Sequence, residues 1–172
     1  MSTALLVIDG QRNMFEPDAV YQGDVVRSTI RSLIHKARIE KVPIIYMQNC
    51  GGPGEPDEPG TTGWVIHPDL APDKDDVVLK KHCPDSFHQT QLANVLKKRK
   101  VNRLILVGMQ TELCVDTTCR RANVLGYEVV LVADGHSTFD AMLPAAQIIA
   151  HHNDVLEVFA KVETAVSVNF TP

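Results

Sequence analysis

The sequence lacks the long apolar stretches and basic runs that mark membrane and nucleic-acid-binding proteins. No apolar segment approaches the ~20 residues that a membrane-spanning helix requires. The net charge is −4 and the isoelectric point is near 5.9, whereas nucleic-acid-binding domains usually carry a basic face. The densest basic stretch, residues 97–100, follows an apolar helical pattern and is typical of a solvated helix end. We therefore expect neither a nucleic-acid nor a membrane partner.

Two further absences concern location and cofactors. The opening residues, MSTALLVIDG, lead directly into an apolar strand pattern, with neither a basic segment nor a small-residue cleavage site. We therefore expect no secretory leader and a cytoplasmic protein. The turn after this strand, DGQRNMFEPD, contains one glycine and lacks the G-x-G-x-x-G spacing of dinucleotide sites. A nucleotide- or flavin-binding module is disfavoured, and no cofactor is expected.

Cysteine is scarce, and four cysteines in a cytoplasmic protein are better candidates for chemistry than for disulfides. Two of them, Cys114 and Cys119, lie five residues apart in QTELCVDTTCRRA. Helix positions with this spacing point about 140° apart, so the pair cannot easily share a ligand or form a bridge. No further Cys or His follows at the spacing of a zinc site. Cys119 is interpreted as a buried helix residue, and Cys114 is left for a separate role.

What the sequence does contain is short apolar runs that alternate with helical patterns. Runs suited to buried parallel strands occur at residues 4–9, 43–48, 76–81, 103–108, 128–134 and, more weakly, 154–160. Helical spacing predicts helices over residues 25–39, from Thr90 to about 96, over 112–125 and over 141–151. This alternation implies a parallel sheet covered on both faces. We predict a single domain over residues 1–172, a three-layer α/β fold with a mainly parallel sheet of about six strands.

Reactive side chains fall at the ends of three predicted strands. Asp9 ends the first strand, Lys80 and Lys81 end the third, and Cys114 opens the helix after the fourth. Ligands of open parallel sheets bind at the carboxyl ends of the strands, so we expect a carboxylate, an amine and a thiol at one edge. Thr111 is the expected N-cap of the helix. The free backbone amides in the first turn of this helix, together with a nearby lysine, would lower the pKa of the Cys114 thiol.

Three segments resemble, in order, the signature blocks of the isochorismatase-like cysteine hydrolases. They are LLVIDGQRNMF, VVLKKHCPDSFHQTQL and LILVGMQTELCVDTTCRRANVLGYEVVLVADG, which together extend from about residue 4 to 140. The resemblance implies a Rossmann-like α/β/α sandwich and a homo-oligomer, since family members commonly self-associate. It also implies a catalytic triad of Asp9, Lys81 and Cys114.

The resemblance also selects between the two lysines, because the family lysine stands six residues before the phenylalanine of an SF pair, here Phe87. Adjacent strand residues point to opposite faces, so only one of Lys80 and Lys81 can reach the site. The resemblance further implies a cis peptide bond between Met109 and Gln110. It implies an oxyanion hole made by the backbone amides of Gln110 and Cys114.

Two departures from related enzymes narrow the expected chemistry. Nicotinamidases of this superfamily carry an Asp-x-His metal motif after the second strand, whereas the corresponding YMQNCGGPGEPDEP contains no histidine. A metal site is therefore not expected. Isochorismatases that cleave a vinyl ether lack the nucleophilic cysteine, whereas Cys114 is present here. The resemblance thus favours hydrolysis of an amide or ureido C–N bond in a small molecule, through a thioester intermediate.

Substrate-binding residues are less well defined by the sequence. Phe15, Gln11 and Trp64 are candidates because they follow the first strand or lie in the long irregular stretch 49–73. The two aromatic residues are equally consistent with core or loop packing, and Gln11 and Gln48 with capping of the local backbone. One alternative function stays open: a non-enzymatic thiol sensor or binding protein that retains the hydrolase fold.

Overall fold

The computed structural model describes residues 2–171, which form a six-stranded sheet with helices on both faces. The strands are β1 (Ser2–Ile8), β2 (Ile44–Asn49), β3 (Val77–Lys81), β4 (Val101–Met109), β5 (Glu128–Ser137) and β6 (Lys161–Glu163). Their order across the sheet is β3-β2-β1-β4-β5-β6, and every neighbouring pair is parallel. The predicted three-layer α/β/α architecture is confirmed.

The α-helices of the described residues are α1 (Gly23–Ile39), α2 (Leu92–Lys98), α3 (Asp116–Val124) and α4 (Ala145–Val155). None of them is both long and apolar enough to cross a membrane. In α1 the buried side chains recur every three or four residues, so the helix presents one apolar face to the sheet. Residues 97–100, at the end of α2, are exposed as predicted.

Successive side chains of the central strands alternate between two apolar cores. From β1, Leu5 and Val7 pack into the core beneath α1, while Leu6 and Ile8 pack into the core beneath α2 and α3. All four side chains are fully buried. Burial of both faces explains why the central strands are continuous apolar runs in the sequence.

The C-terminal region differs from the sequence prediction. Residues 154–160, predicted as a weak strand, instead complete α4 and form a 3-10 turn, Leu156–Val158, and the sixth strand is Lys161–Glu163. Leu156 and Phe159 pack on the core while Val158 is exposed, which is a helical rather than an alternating pattern. The helix also begins later than predicted, at Ala145, because Pro144 stands at the N-cap and proline disfavours helical geometry in the residue before it.

The sheet topology brings the ends of β1 and β4 together. The chain builds β1, β2 and β3 toward one side and then returns to place β4 on the other side of β1. This reversal opens a crevice at the carboxyl ends of β1 and β4, where ligands bind in folds of this type. The strands approach closely there, since a Cβ atom on Gly108 (φ +131°) would overlap the backbone of Ile8.

Candidate active site

Side chains from three strand ends meet at this crevice. Asp9 follows β1, Lys81 ends β3, and Cys114 lies in a π-helical turn, Thr111–Val115, that follows β4. The ammonium Nζ of Lys81 lies 2.9 Å from Oδ2 of Asp9 and 3.1 Å from Sγ of Cys114. The structure therefore brings together the acid, amine and thiol that the sequence placed at one edge.

Lys81 is the hub of the cluster. Its side chain is fully buried, and its ammonium group also donates to Oδ1 of Asn49 (3.1 Å) and to the carbonyl of Cys83 (3.3 Å). Burial alone would lower the pKa of Lys81, but the Asp9 carboxylate and the Cys114 thiol reverse that effect and raise it. The amine therefore stays protonated and supplies a fixed positive charge.

Lys80, the alternative considered from the sequence, points away from the cluster. Its side chain is exposed and its ammonium group lies 5.0 Å from the centre of the Trp64 ring. This cation–π contact on the outer side of the strand follows from the alternation of neighbouring side chains.

Asp9 combines an ion pair with an unused acceptor. Its side chain is 3% exposed, Oδ2 faces Lys81, and buried Oδ1 accepts no hydrogen bond from any donor in residues 2–171. Burial raises the pKa of Asp9, and this effect outweighs the lowering by Lys81 and Cys114; the nearby charge of Asp57 raises it further. A carboxylate with a raised pKa and a free lone pair is well suited to accept a proton.

The thiol of Cys114 does not behave as predicted. Burial, followed by the negative charge of Asp9, raises its pKa to about 12, and the opposing effect of Lys81 is smaller. The predicted lowering of this pKa is therefore wrong. Sequence reasoning took into account the helix start and the lysine but neither the burial nor the carboxylate. In the resting protein the proton stays on sulfur.

The turn that carries Cys114 also differs from prediction. Instead of one helix over 112–125 capped by Thr111, the chain forms the π-helical turn and then α3, and the residue at the N-cap is Gln110. Thr111 is buried, with its hydroxyl hydrogen-bonded to the His136 ring. π-helical turns often occur at functional sites. Here the turn widens the backbone around the thiol.

The backbone amide of Gln110, predicted as one donor of an oxyanion hole, donates to no acceptor in residues 2–171. The carbonyl of Gln110 accepts from the amides of Leu113 and Val115. The peptide bond between Met109 and Gln110 is cis, as the resemblance implied. The Gln110 amide is thus available to an oxygen atom bound beside the thiol.

The cluster opens into a cavity of about 670 Å³. Asp9, Gln110 and Cys114 contribute to its wall, and the remaining lining residues come from segments 13–18, 49–57 and 82–84, with Leu113 and Phe139. The described residues contain no group of three or more His, Cys, Asp or Glu side chains arranged to hold a metal ion.

The three residues predicted to bind substrate do not line this cavity. Gln11 is buried and holds the backbone of Asn49 and Trp64 through three hydrogen bonds, the capping role considered for it. Phe15 is buried against the ring of His67, and Trp64 lies under Lys80. The cavity therefore gives no support to substrate contact by these side chains.

Sequence reasoning missed Asn49, which ends β2. Its amide oxygen accepts from Lys81, and its amide nitrogen donates to Oδ2 of Asp57 at 2.7 Å, so it links the cluster to the long loop. The signal was a polar residue at the end of a predicted strand, the same signal that identified Asp9. This signal alone does not single out Asn49, because amides at strand ends commonly cap the backbone, as Gln48 does here.

Known proteins resemble this chain over most of its length. Among curated relatives, a streptothricin hydrolase of Streptomyces noursei is 38% identical over 144 residues, which are 83% of this chain and 56% of that protein. A ureidoacrylate amidohydrolase, RutB, of Agrobacterium fabrum is 26% identical over 172 residues, covering 77% of this chain and 74% of that protein. The chain thus spans about half the length of the streptothricin hydrolase.

Structural comparison gives the same result. The crystal structure of an isochorismatase from Pseudomonas putida superposes with a TM-score of 0.93 at 30% identity, covering 97% of this chain and 90% of that chain. The isochorismatase domain family matches residues 3–165. The protein therefore belongs to the isochorismatase family of hydrolases.

Proposed function

We propose that this protein hydrolyses an amide or ureido C–N bond of a small molecule through a thioester on Cys114. The observation that carries the proposal is the buried Lys81 ammonium, which lies within 3.1 Å of both the Asp9 carboxylate and the Cys114 sulfur beside a cavity. Relatives named as a streptothricin hydrolase and as an amidohydrolase support the reaction class.

The reaction begins with a proton transfer inside the cluster. Because the Cys114 thiol has a pKa of about 12, it reaches the thiolate state only by giving its proton to Asp9 as attack proceeds. The unpartnered Oδ1 of Asp9 is the acceptor, and its raised pKa favours the transfer. Lys81 keeps a positive charge beside whichever of the two groups is negative.

The thiolate attacks the carbonyl carbon and the carbonyl oxygen becomes an oxyanion. The amide of Gln110, which donates to no acceptor within residues 2–171, and the amide of Cys114 donate to this oxygen. A preorganised donor of this kind stabilises the transition state by about 3 kcal/mol.

Breakdown of this intermediate returns the proton. Asp9 passes it to the leaving nitrogen, the C–N bond breaks, and ammonia or an amine departs while the acyl group stays on sulfur. Asp9 then takes a proton from water, whose hydroxide attacks the thioester and releases the acid. The thiol recovers its proton from Asp9, so each turnover consumes one water.

A thiol sensor on the same fold is the second candidate function. Oxidants and alkylating agents react with thiolates, so redox sensors usually have exposed cysteines of low pKa. Cys114 is partly buried and its pKa is raised. This observation favours the hydrolase, in which a base is at hand to remove the proton.

The test is a screen of small amides for ammonia release, with Cys114→Ala as the inactive variant. We expect this variant to lose at least about a thousandfold in kcat, because the thiol held beside Lys81 and the base Asp9 is lost. Cys119→Ala is the matched control, since Cys119 lies buried in the core and its loss leaves turnover intact. Wild-type turnover by Cys114→Ala would show that covalent catalysis by this thiol is wrong.

A further inference from the structure

The cavity wall beyond the catalytic cluster is acidic. Four carboxylates line it besides Asp9, namely those of Glu16, Asp18, Glu55 and Asp57. Among the described residues, no lysine or arginine lines it. The excess of one charge is a property of this cavity rather than of the whole surface, because the chain as a whole carries a net charge of only −4.

Three of these carboxylates have no cationic partner. Glu16 is paired with Arg12 at 2.8 Å, but Asp18, Glu55 and Asp57 form no ion pair within residues 2–171. Glu55 accepts from a backbone amide and Asp57 from the side chain of Asn49. Both contacts orient the carboxylates without neutralising them.

The acidic residues belong to two segments that are fastened together. The backbone amides of Arg12 and Asn13 donate to the carbonyls of Val65 and Gly63, and Gln11 bridges to Ile66. The segment after β1, which carries Asp18, is therefore anchored to the long loop that carries Glu55 and Asp57.

The cavity wall also contains an unused acceptor outside the catalytic cluster. Oδ1 of Asn13 is buried, belongs to a cavity-lining residue, and has no donor in the described part of the chain. A buried polar atom without a protein partner can be satisfied by water or by a bound ligand. Met14, Leu113 and Phe139 add apolar surface to the same cavity.

From this arrangement we infer that the cavity selects small amides that carry a cationic group, an ammonium or guanidinium, separated by a short apolar spacer from the bond that is cleaved. The inference rests on the proposed function and adds the substrate class. Uncompensated carboxylates in a concave site attract a cation and repel an anion of the same shape. The apolar side chains accept the spacer.

A matched series of amides tests this selection: 6-aminohexanamide, heptanamide and adipamic acid, which share chain length and differ only in terminal charge. Their affinities are measured by calorimetry on Cys114→Ala, which binds without turnover, and kcat/KM on the wild-type protein. We expect both the affinity and kcat/KM to be at least about tenfold higher for 6-aminohexanamide than for heptanamide, and both to be lowest for adipamic acid. Added salt reduces the preference, because Asp18 and Glu55 are exposed.

Charge removal provides the second arm. The double variant Asp18→Asn, Glu55→Gln removes both exposed carboxylates. We expect it to lower several-fold the ratio of the kcat/KM for 6-aminohexanamide to the kcat/KM for heptanamide. Glu157→Gln, an equally conservative change at an exposed residue outside the cavity, leaves that ratio as it is.

The proposed hydrolysis and the proposed selection of cationic amides can each be rejected without rejecting the other. Preferential binding of the cationic amide without hydrolysis of any amide supports the cation site and rejects the hydrolase. Hydrolysis of heptanamide together with equal binding of the cationic and neutral amides rejects the cation site alone. Tighter binding of adipamic acid, or no binding by any of the three, also overturns the inference.

Discussion

At the scale of the residue, Asp9 and Cys114 control one another's protonation. Burial raises the pKa of both groups, and the negative charge of Asp9 raises the pKa of Cys114 further, so the single Lys81 ammonium is best matched by one anion at a time. The resting pair is a carboxylate and a thiol, and the reacting pair is a carboxylic acid and a thiolate. The net charge of the cluster does not change between them.

Asp9→Asn should separate thiol ionisation from catalysis. Removing the carboxylate removes a negative charge that raises the thiol pKa, so the pKa of Cys114 falls below about 12 and the thiol is alkylated faster at alkaline pH. Turnover nevertheless falls by about 10²- to 10⁴-fold, because the proton acceptor is lost. The measurements are the pH dependence of iodoacetamide modification, resolved by peptide mass spectrometry, and kcat/KM.

Cys119, measured in the same digests, is the control for an intact fold, because it is fully buried and Asp9 does not contribute to its pKa shift. In the wild-type protein, kcat/KM is lost as pH falls through the raised pKa of Asp9, since a protonated carboxyl cannot accept the thiol proton. An unchanged or slower modification of Cys114 in Asp9→Asn would contradict this account of the pair.

At the scale of the element, the buried strands and the edge that carries the site could be predicted. Central parallel strands are continuous apolar runs, and a polar residue that follows one of them, such as Asp9 after β1, marks its carboxyl end. Lys81 is itself the last residue of the edge strand β3. The π-helical turn could not be predicted, because TELCV carries no periodicity of its own and its hydrogen bonds depend on the carbonyl of Gln110 after β4. The three-residue strand Lys161–Glu163 is likewise fixed only by pairing with β5.

Gly108 is expected to be indispensable to the contact between β4 and β1. Gly108→Ala combines an unfavourable φ of +131° with overlap of the new Cβ and the Ile8 backbone, so we expect a loss of at least about 3 kcal/mol of unfolding free energy. Chemical denaturation measures the loss.

The matched control for this change is Gly126→Ala. Gly126 also has a positive φ, +87°, but no atom lies near the added Cβ. Only the conformational penalty applies there, about 1 kcal/mol. Equal losses at the two glycines would show that β4 and β1 have room for a side chain.

At the scale of the whole molecule, the fold brings together residues more than a hundred positions apart in the sequence. The acid, the amine and the thiol were assigned from family resemblance, and the structure shows their contacts. The acidic wall could not be assigned, because Asp18, Glu55 and Asp57 lie in irregular segments whose paths are set by tertiary hydrogen bonds. The single-domain organisation, the cytoplasmic location and the homo-oligomer stay predictions.

The most direct test of the central claim is mass spectrometry of the protein mixed with 4-nitrophenyl heptanoate and quenched in acid. This ester forms the same acyl group as heptanamide with a better leaving group, so the thioester accumulates. We predict one heptanoyl group, on Cys114 and on none of Cys50, Cys83 or Cys119. Turnover of the ester with Cys114 unmodified, or with the acyl group on another cysteine, would contradict the account.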